Sequence, residues 1–327
     1  VETSTNSAGT AAVTGATGFV GRAVVRELLD RGWSVRALGR SAEKARRVLP
    51  QSDRLVVVEG DVLDEAVLDR LMDGADASVH LVGIIREAGG DQTFENMHHQ
   101  ATRRMVAAAE RAGGARGTAP RYVQMSALGV CDGSTIPYQA TKRRGEKAVE
   151  ASGLRWTIFR PGLIHGPEGD FTQMAAAWVR GKAAPFVFVP YFTPGWRLGG
   201  PGTAVAPVRV EDVASMFVGA LTRDGAIGRT YDLAGPEVLS FDDMLRVLRD
   251  VVPGAKRLPL IGVPGRFAAL QAKIAGAVGL GGLLPFDEGM ARMAMEESVS
   301  ECARARADLG FDPAPFSESL AMYADRL

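Results

Sequence analysis

The sequence predicts an α/β protein: a doubly wound parallel sheet with a smaller, mostly C-terminal lobe. Three observations lead there. Apolar, β-branched runs alternate with helical patterns through the first half. Glycines spaced G-x-x-G-x-x-G stand where the first such run gives way to the first helical pattern. After about residue 165 the rhythm breaks, and Gly and Pro become dense. The expected division is therefore a sheet domain over 1–165, to which part of the later chain returns, and a substrate- or partner-binding lobe over 166–327.

The elements follow in order. Strands are predicted at TAAVTG (10–15), WSVRALGR (33–40), RLVVVEGD (54–61), ASVHLVG (77–83), RYVQMSA (121–127) and RWTIFRPG (155–162). Helical patterns lie between them at 18–31, 64–72, 94–113 and 138–152. Near-continuous hydrophobic strands joined by crossover helices argue for a parallel sheet covered on both faces. RAGGARGTAP (111–120), rich in Gly and closed by Pro, reads as a loop, and PYFTPGWRLGGPGTAVAP (190–207) as a long one that shapes a binding site. Short strands near 205–210 and 230–235 precede helices to the end.

Composition excludes several classes. Lys+Arg and Asp+Glu are equal at 38 each, so no global field draws nucleic acid or an anionic membrane. Cys131 and Cys302 are the only cysteines, in no metal-ligand spacing, which suits a reducing compartment. No His/Cys/Asp/Glu grouping has metal spacing. VETSTNSAGT lacks the basic-then-apolar pattern of a secretory leader, so a cytoplasmic protein is expected, with peripheral contact at the inner face of a membrane as an extension of that reading. FAALQAKIAGAVGLGGLLPF (267–286) approaches the length of a membrane span, but it carries Lys273, several glycines and a late proline. It reads as a buried or surface-docking amphipathic helix.

TGATGFVGRAVVRELLDRG carries Gly15, Gly18 and Gly21 from a strand end directly into a helix. The first glycine permits the tight turn, the second a close approach of backbone to pyrophosphate, and the third close helix–strand packing. Gly15, Thr17, Gly18, Phe19, Val20 and Gly21 are thus the expected diphosphate contacts of a dinucleotide. A ribose 2′-OH calls for an acid at the end of the second strand, but ALGRSAEKARR offers Gly39 and Arg40. Arg40 suits a 2′-phosphate, which favours NADP(H) over NAD(H). Lys44, Arg46 and Arg47 read as a solvated helix face. Asp61 is placed to accept from an adenine amino group, with Val62 beside the ring, and Leu81, Val82 and Gly83 to run under the cofactor.

In this order of motifs the chain resembles the short-chain dehydrogenase/reductase superfamily, and more narrowly its extended and atypical members. The glycine pattern, Asp61, LVG (81–83), Ser126, YQATK, RPGLIHGP (160–167), VRVEDVA (208–214) and YDLAGPE (231–237) carry the resemblance over most of the chain. VGIIREAGGDQTFENMHHQATRRMVAAAERAG, VQMSALGV and LGFDPAPFSESLAMY are most similar to bacterial relatives of the NAD(P)H-binding accessory subunit of respiratory complex I. That resemblance implies a Rossmann-like fold and places Pro161, Gly162 and Ile164 near a nicotinamide. It also gives Lys142 the nicotinamide ribose. Docking to a membrane complex through 258–286, and a monomer or homodimer, are further implications.

Tyr138 and Lys142, four apart at the start of a helix, share one face. A tyrosine titrates near 10, and a neighbouring ammonium is expected to lower that value. Ser126, at the end of the fifth strand, is placed to orient a substrate oxygen beside Tyr138. His98 falls where many extended relatives have a site-ordering asparagine. His165 is open between a second acid/base and a packed side chain. Glu211 and Asp212 suit helix capping, whereas Tyr191, Phe192, Trp196 and Arg197 form either a lid or packing against the first domain. The leading expectation is an NADP(H)-dependent oxidoreductase on a carbonyl or alcohol, its small-molecule substrate unspecified. A nucleotide-holding accessory or redox-sensing module and a nucleotide-sugar epimerase or dehydratase stand beside it.

Overall fold

Most apolar runs of the first half pack as strands buried on both faces; the third, Leu55–Glu59 at the sheet edge, stays partly exposed. In β1 (Thr10–Thr14), Ala11, Ala12 and Val13 are wholly enclosed. The computed structural model describes residues 8–194, 199–265 and 296–327. The remaining strands are β2 (Ser34–Gly39), β3 (Leu55–Glu59), β4 (Ala77–His80), β5 (Arg121–Met125), β6 (Arg155–Pro161), β7 (Ile164–His165), β8 (Val189–Thr193), β9 (Ala204–Val205), β10 (Val208–Arg209), β11 (Arg229–Leu233), β12 (Leu239–Ser240) and β13 (Leu260–Pro264). Helices α1 (Phe19–Asp30), α2 (Ala42–Val48), α3 (Glu65–Met72), α4 (Ala101–Arg116) and α5 (Pro137–Glu150) alternate with the first six strands, and α6 (Asp170–Val179) follows β7.

The main sheet has seven strands in the order β11-β6-β5-β4-β1-β2-β3, and β1 to β6 pair in parallel. The order reverses between β1 and β4, the switch point at which such sheets bind ligands beyond their carboxyl ends. Two compact units result. The first holds the described residues to Pro161, with Val210–Asp232 and Cys302–Phe311 returning to it. The later chain thus supplies its edge strand β11 and α7 (Val210–Ala220), whose Phe217 ring stacks on Phe159 of β6 at 4.7 Å. The second unit holds the described residues of Gly162–Arg209, Leu233–Glu301 and Asp312–Leu327, cored by Ala175, Tyr191, Leu245, Leu248, Phe316 and Tyr323.

Several expectations need correction. The segment 111–120 is mostly helix: α4 runs through Gly113 and Gly114 to Arg116, and Gly117 in the left-handed region (φ 68°) ends it. Gly113 is a packing residue, since a Cβ there would lie 2.9 Å from the Pro120 ring. Before α4 the chain makes a π-helical turn over Glu95–Gln100. The supposed long loop begins as a strand, because β8 pairs in parallel with β13. That strand also breaks the run of helices expected at the C-terminal end. Trp196 and Arg197, and the 267–286 segment with most of the 258–286 docking region, lie outside the described residues. Among the described residues no helix is long and apolar enough to cross a membrane, and no cluster suits a metal ion.

Candidate functional site

The glycine loop folds hard against its surroundings. Gly15 takes a positive φ of 71°, and a Cβ there would lie 3.0 Å from the Leu81 carbonyl carbon. A Cβ on Gly21 would sit 2.1 Å from the Gly15 carbonyl oxygen. The Gly18 N–H donates to Gly15 O at 3.0 Å, and Gly18 caps α1 without a side-chain hydrogen bond or an acidic residue in the first turn. The first amides of any helix lack intrahelical acceptors and carry its positive dipole end. Nothing here quenches them, so the cradle fits a diphosphate. Thr17 and Phe19 are half-buried beside it, and Val20 turns into the core.

Past β2, Arg40 is exposed and makes no hydrogen bond or ion pair among the described residues. Its neighbours are engaged: Ser41 caps α2 through Lys44 N–H, and Arg47 pairs with Glu43 at 3.2 Å. Asp61 is exposed and spends one oxygen on the Leu63 N–H at 2.8 Å, leaving the other open. Val62 is buried against the cluster that holds Ala12 and Leu38. Leu81 is buried and Val82 half-buried. A Cβ on Gly83 would come within 3.2 Å of Lys142 Nζ and 3.6 Å of the His98 ring. The track beyond β4 therefore leads to the lysine.

Ser126, Tyr138 and Lys142 all belong to this first unit. The Ser126 N–H donates to Phe159 O at 2.7 Å, which pins the residue at the end of β5. Its Oγ is buried without a hydrogen-bond partner. Pro137 at the first helical position starts α5, and Lys142 Nζ sits 5.6 Å from the centroid of the Tyr138 ring. The ammonium is buried and, among the described residues, has only the Met125 carbonyl at 3.5 Å as a hydrogen-bond partner. Burial brings its pKa from 10.5 down to about 8, against the opposing charge of Glu146. Glu146 is itself buried and held by Arg160 through two bonds of 2.7 Å and by Arg143 at 3.1 Å.

The tyrosine departs from expectation. Burial pushes the Tyr138 hydroxyl above its ordinary value, where a neighbouring ammonium was expected to lower it. The reason is geometric: the ammonium lies over the ring face, as a cation–π contact, and not beside the oxygen. The Tyr138 hydroxyl makes no hydrogen bond among the described residues.

Sequence reasoning did not reach the aromatic wall beside this tyrosine. Phe94 stacks on His98 at 5.3 Å, and both meet the Tyr138 ring edge-on, at 5.9 and 5.1 Å. His98 is buried, with Nδ1 on Thr141 Oγ at 2.9 Å and Nε2 on the Ile84 carbonyl at 2.9 Å. Burial and the Lys142 charge drive its pKa to about 2, so it is neutral and both ring nitrogens are engaged. A Cβ on Gly145 would lie 2.5 Å from the His98 carbonyl oxygen, so α5 meets the π-turn backbone against backbone.

A second unforeseen group is His80. It is buried at the end of β4, with Nδ1 2.6 Å from Thr14 Oγ and no partner for Nε2. Burial pushes its pKa to about 3. The register pairing of Thr14 with His80 was available only once β1 and β4 were known neighbours.

Other candidates resolve differently. His165 is a packed residue of the second unit, with Nδ1 on the Tyr323 hydroxyl at 2.7 Å and its ring edge-on to Phe316 at 4.9 Å. Pro161 belongs to the first unit, where its carbonyl accepts from Leu128 N–H at 2.9 Å. Gly162 and Ile164 belong to the second unit: Gly162 N–H donates to Leu233 O at 2.8 Å, and Ile164 pairs with Val208. Tyr191 is buried there and donates to Gly200 O at 2.7 Å, while Phe192 is half-buried. Glu211 and Asp212 stand in the first turn of α7, where acids suit the dipole.

Known proteins are similar to this chain in sequence and in fold. A protein-family profile described as NAD(P)H-binding matches residues 15–180. A ceramide reductase from Caulobacter vibrioides is 35% identical over 68% of this chain and 64% of its own length. The (4-alkanoyl-5-oxo-2,5-dihydrofuran-3-yl)methyl phosphate reductase of Streptomyces griseus is 33% identical over 80% of each chain. The Arabidopsis thaliana mitochondrial NADH dehydrogenase (ubiquinone) 1 alpha subcomplex subunit 9 is 30% identical over 74% of this chain, a match spanning 58% of that subunit. The solved UDP-glucose 4-epimerase of Thermus thermophilus, in complex with NAD, superposes with a TM-score of 0.72 at 20% identity, covering 97% of this chain and 98% of its own. That likeness speaks for the fold. The unquenched glycine cradle, the seven-stranded sheet and these relatives agree: the chain belongs to the NAD(P)H-binding, Rossmann-like family, of the extended short-chain dehydrogenase/reductase type.

Proposed function

We propose that the protein is an NADP(H)-dependent oxidoreductase that interconverts a carbonyl and an alcohol on a small molecule. The first unit binds the dinucleotide, and the second contributes substrate or partner contacts. The observation that carries the reading is the pairing of a buried, unpartnered Ser126 Oγ with Lys142 stationed over Tyr138. A buried hydroxyl without a partner costs roughly 1–3 kcal/mol, which a substrate oxygen would recover. Relatives named as reductases, at 33% identity and above, support the same reaction class.

In this reading Gly15, Thr17, Gly18, Phe19, Val20 and Gly21 hold the diphosphate. Arg40 holds the 2′-phosphate and Asp61 the adenine amino group, with Val62 beside the ring. Leu81, Val82, Gly83 and Pro161 flank the nicotinamide. The dinucleotide, when bound, supplies or receives the hydride. Ser126 Oγ donates to the substrate oxygen and fixes its position. Tyr138 passes its proton to that oxygen, and its raised pKa keeps it a firmly protonated acid near neutrality. Lys142 holds the ribose hydroxyls from its place over the Tyr138 ring.

A second reading has its own support. Both ring nitrogens of His98 are engaged by Thr141 and Ile84, so no free imidazole edge continues a proton relay from Tyr138. Together with the likeness to subunit 9, this favours a module that holds NADP(H) within a membrane assembly. Exchange of bound NADPH against excess unlabelled cofactor separates the two. Release within seconds, with NADPH consumption on a carbonyl panel that Tyr138→Phe lowers about 10²–10⁴-fold, supports the oxidoreductase. Release over hours, with the biological role intact in Tyr138→Phe, supports the holding module and sinks the first reading.

A further inference from the structure

The second unit carries a surface that the dinucleotide chemistry does not use. Seven large apolar side chains are exposed among the described residues, and three belong to one neighbourhood: Phe186 (58% exposed), Val187 (67%) and Ile261 (38%). β8 and β13 bring them together. Ile261 lies opposite Pro190 in the parallel register, and Phe186 and Val187 lead into the same strand. Adjacent strands run roughly 4.8 Å apart, so the three fall within about 10–15 Å of one another. Gly181 ties in the segment behind them: a Cβ there would meet the Phe186 carbonyl at 3.3 Å, Leu258 at 3.4 Å and the Lys256 stem at 3.5 Å.

Within the two segments that form this patch the charged side chains have one sign. Lys182, Lys256 and Arg257 are exposed, and their side chains make no hydrogen bond or ion pair among the described residues. Arg180 is engaged by the carbonyls of Pro253 and Leu327. No Asp or Glu occurs in residues 180–194 or 252–265, and the acid nearest in sequence, Asp250, lies against Arg249. The whole chain carries equal numbers of basic and acidic residues, so this grouping is a local departure from neutrality. An apolar tip ringed by unpaired cations complements a surface that is anionic at the headgroups and apolar just beneath. A protein groove offering the same complement would need acids and an apolar cavity at matched spacing, whereas a bilayer offers both everywhere.

We infer that this face of the second unit docks peripherally on an anionic lipid bilayer, with Phe186, Val187 and Ile261 entering the interface and Lys182, Lys256 and Arg257 on the headgroups. The inference stands whether or not the chain turns over a substrate. Its test is co-sedimentation of the full chain with sucrose-loaded vesicles of phosphatidylcholine alone and with 30% phosphatidylglycerol (roughly the anionic content that gives such cations purchase). Two variants accompany it. Phe186→Asn with Val187→Ser removes the apolar tip while respecting the positive φ of 68° at Phe186, which Asn tolerates. Lys182→Gln, Lys256→Gln and Arg257→Gln removes the cations.

Expected are binding to the anionic vesicles only, weakening in high salt, and a loss of roughly fivefold per cation, about a hundredfold for the triple change. The apolar double variant should lose tenfold or more on the same vesicles. NADPH binding, read by cofactor fluorescence, should be unchanged in both, which reports an intact first unit. Equal binding to neutral and anionic vesicles, variants that bind like the parent, or no vesicle binding at all overturns the inference.

Discussion

Replacing Lys142 by Met should make the cofactor-free protein more stable, although it removes a side chain on which the proposed reaction depends. The ammonium is buried with one long carbonyl contact and a ring face, and its pKa falls from 10.5 to about 8. The unfolded chain therefore binds the proton more tightly than the folded one. At neutral pH that difference is worth about 3 kcal/mol against folding, which sets a ceiling on the gain. Met keeps the stem's length and apolar packing, and Glu146 keeps Arg160 and Arg143. The penalty is complete below the folded value of about 8 and fades as pH rises towards 10.5, where both states are neutral. Urea denaturation of parent and variant at pH 7 and pH 10 reads this out. We expect a gain of roughly 1–3 kcal/mol at pH 7 and under about 1 kcal/mol at pH 10, with ionisations elsewhere cancelling in the difference. A variant less stable than the parent at pH 7, or a gain of the same size at both, would refute the reasoning.

Three further outcomes follow from the same geometry. Gly21→Ala forces a Cβ to 2.1 Å from the Gly15 oxygen, so the loop must retreat by about 1 Å; NADPH affinity by fluorescence titration should fall about a hundredfold, and an affinity within threefold of the parent would contradict the cradle. Arg40→Ala should weaken NADPH roughly 10–100-fold and leave NADH unchanged in the same titration, because only the phosphate loses a charge-assisted bond; equal losses would remove Arg40 from the 2′-phosphate role. Glu146→Ala strips the anion from Arg160 and should cost roughly 3–5 kcal/mol in urea denaturation, with Glu146→Gln costing less; a cost below about 1 kcal/mol would mean that solvent replaces the carboxylate freely.

What the sequence made legible has a physical pattern. The strands of the parallel sheet announced themselves because burial on both faces demands continuous apolar runs, as in Ala11–Val13. The glycine loop was legible because only a residue without a side chain fits where Gly21 meets the Gly15 carbonyl. Gly113 misled for the same reason, since a glycine kept for its contact with Pro120 looks like one kept for a turn. Helix α2 was readable only as a charged face, its one buried residue being Ala45. β13 escaped notice because Gly262 and Pro264 interrupt it, yet Gly262 is there to admit Thr193, whose Cγ2 would lie 2.6 Å from a Cβ. In the candidate site, spacing placed Tyr138 and Lys142 on one face. It carried no information on whether the ammonium points at the hydroxyl or over the ring. The His98 wall was equally hidden, because a π-turn leaves no periodicity of its own in six residues.

The meeting of Gly145 with the His98 carbonyl has a mechanical meaning. Where two elements touch through side chains, their spacing is an average over rotamers and drifts as those rotamers are exchanged. Here the spacing is set by main-chain atoms that have no rotamers, one turn along α5 from Lys142 and two from Tyr138. The contact works as a fixed stop for α5, with Lys142 held one turn from it and Tyr138 near the far end of the helix. Side-chain changes on the exposed flank of α5 leave that main-chain spacing in place, because no side chain of the flank takes part in it.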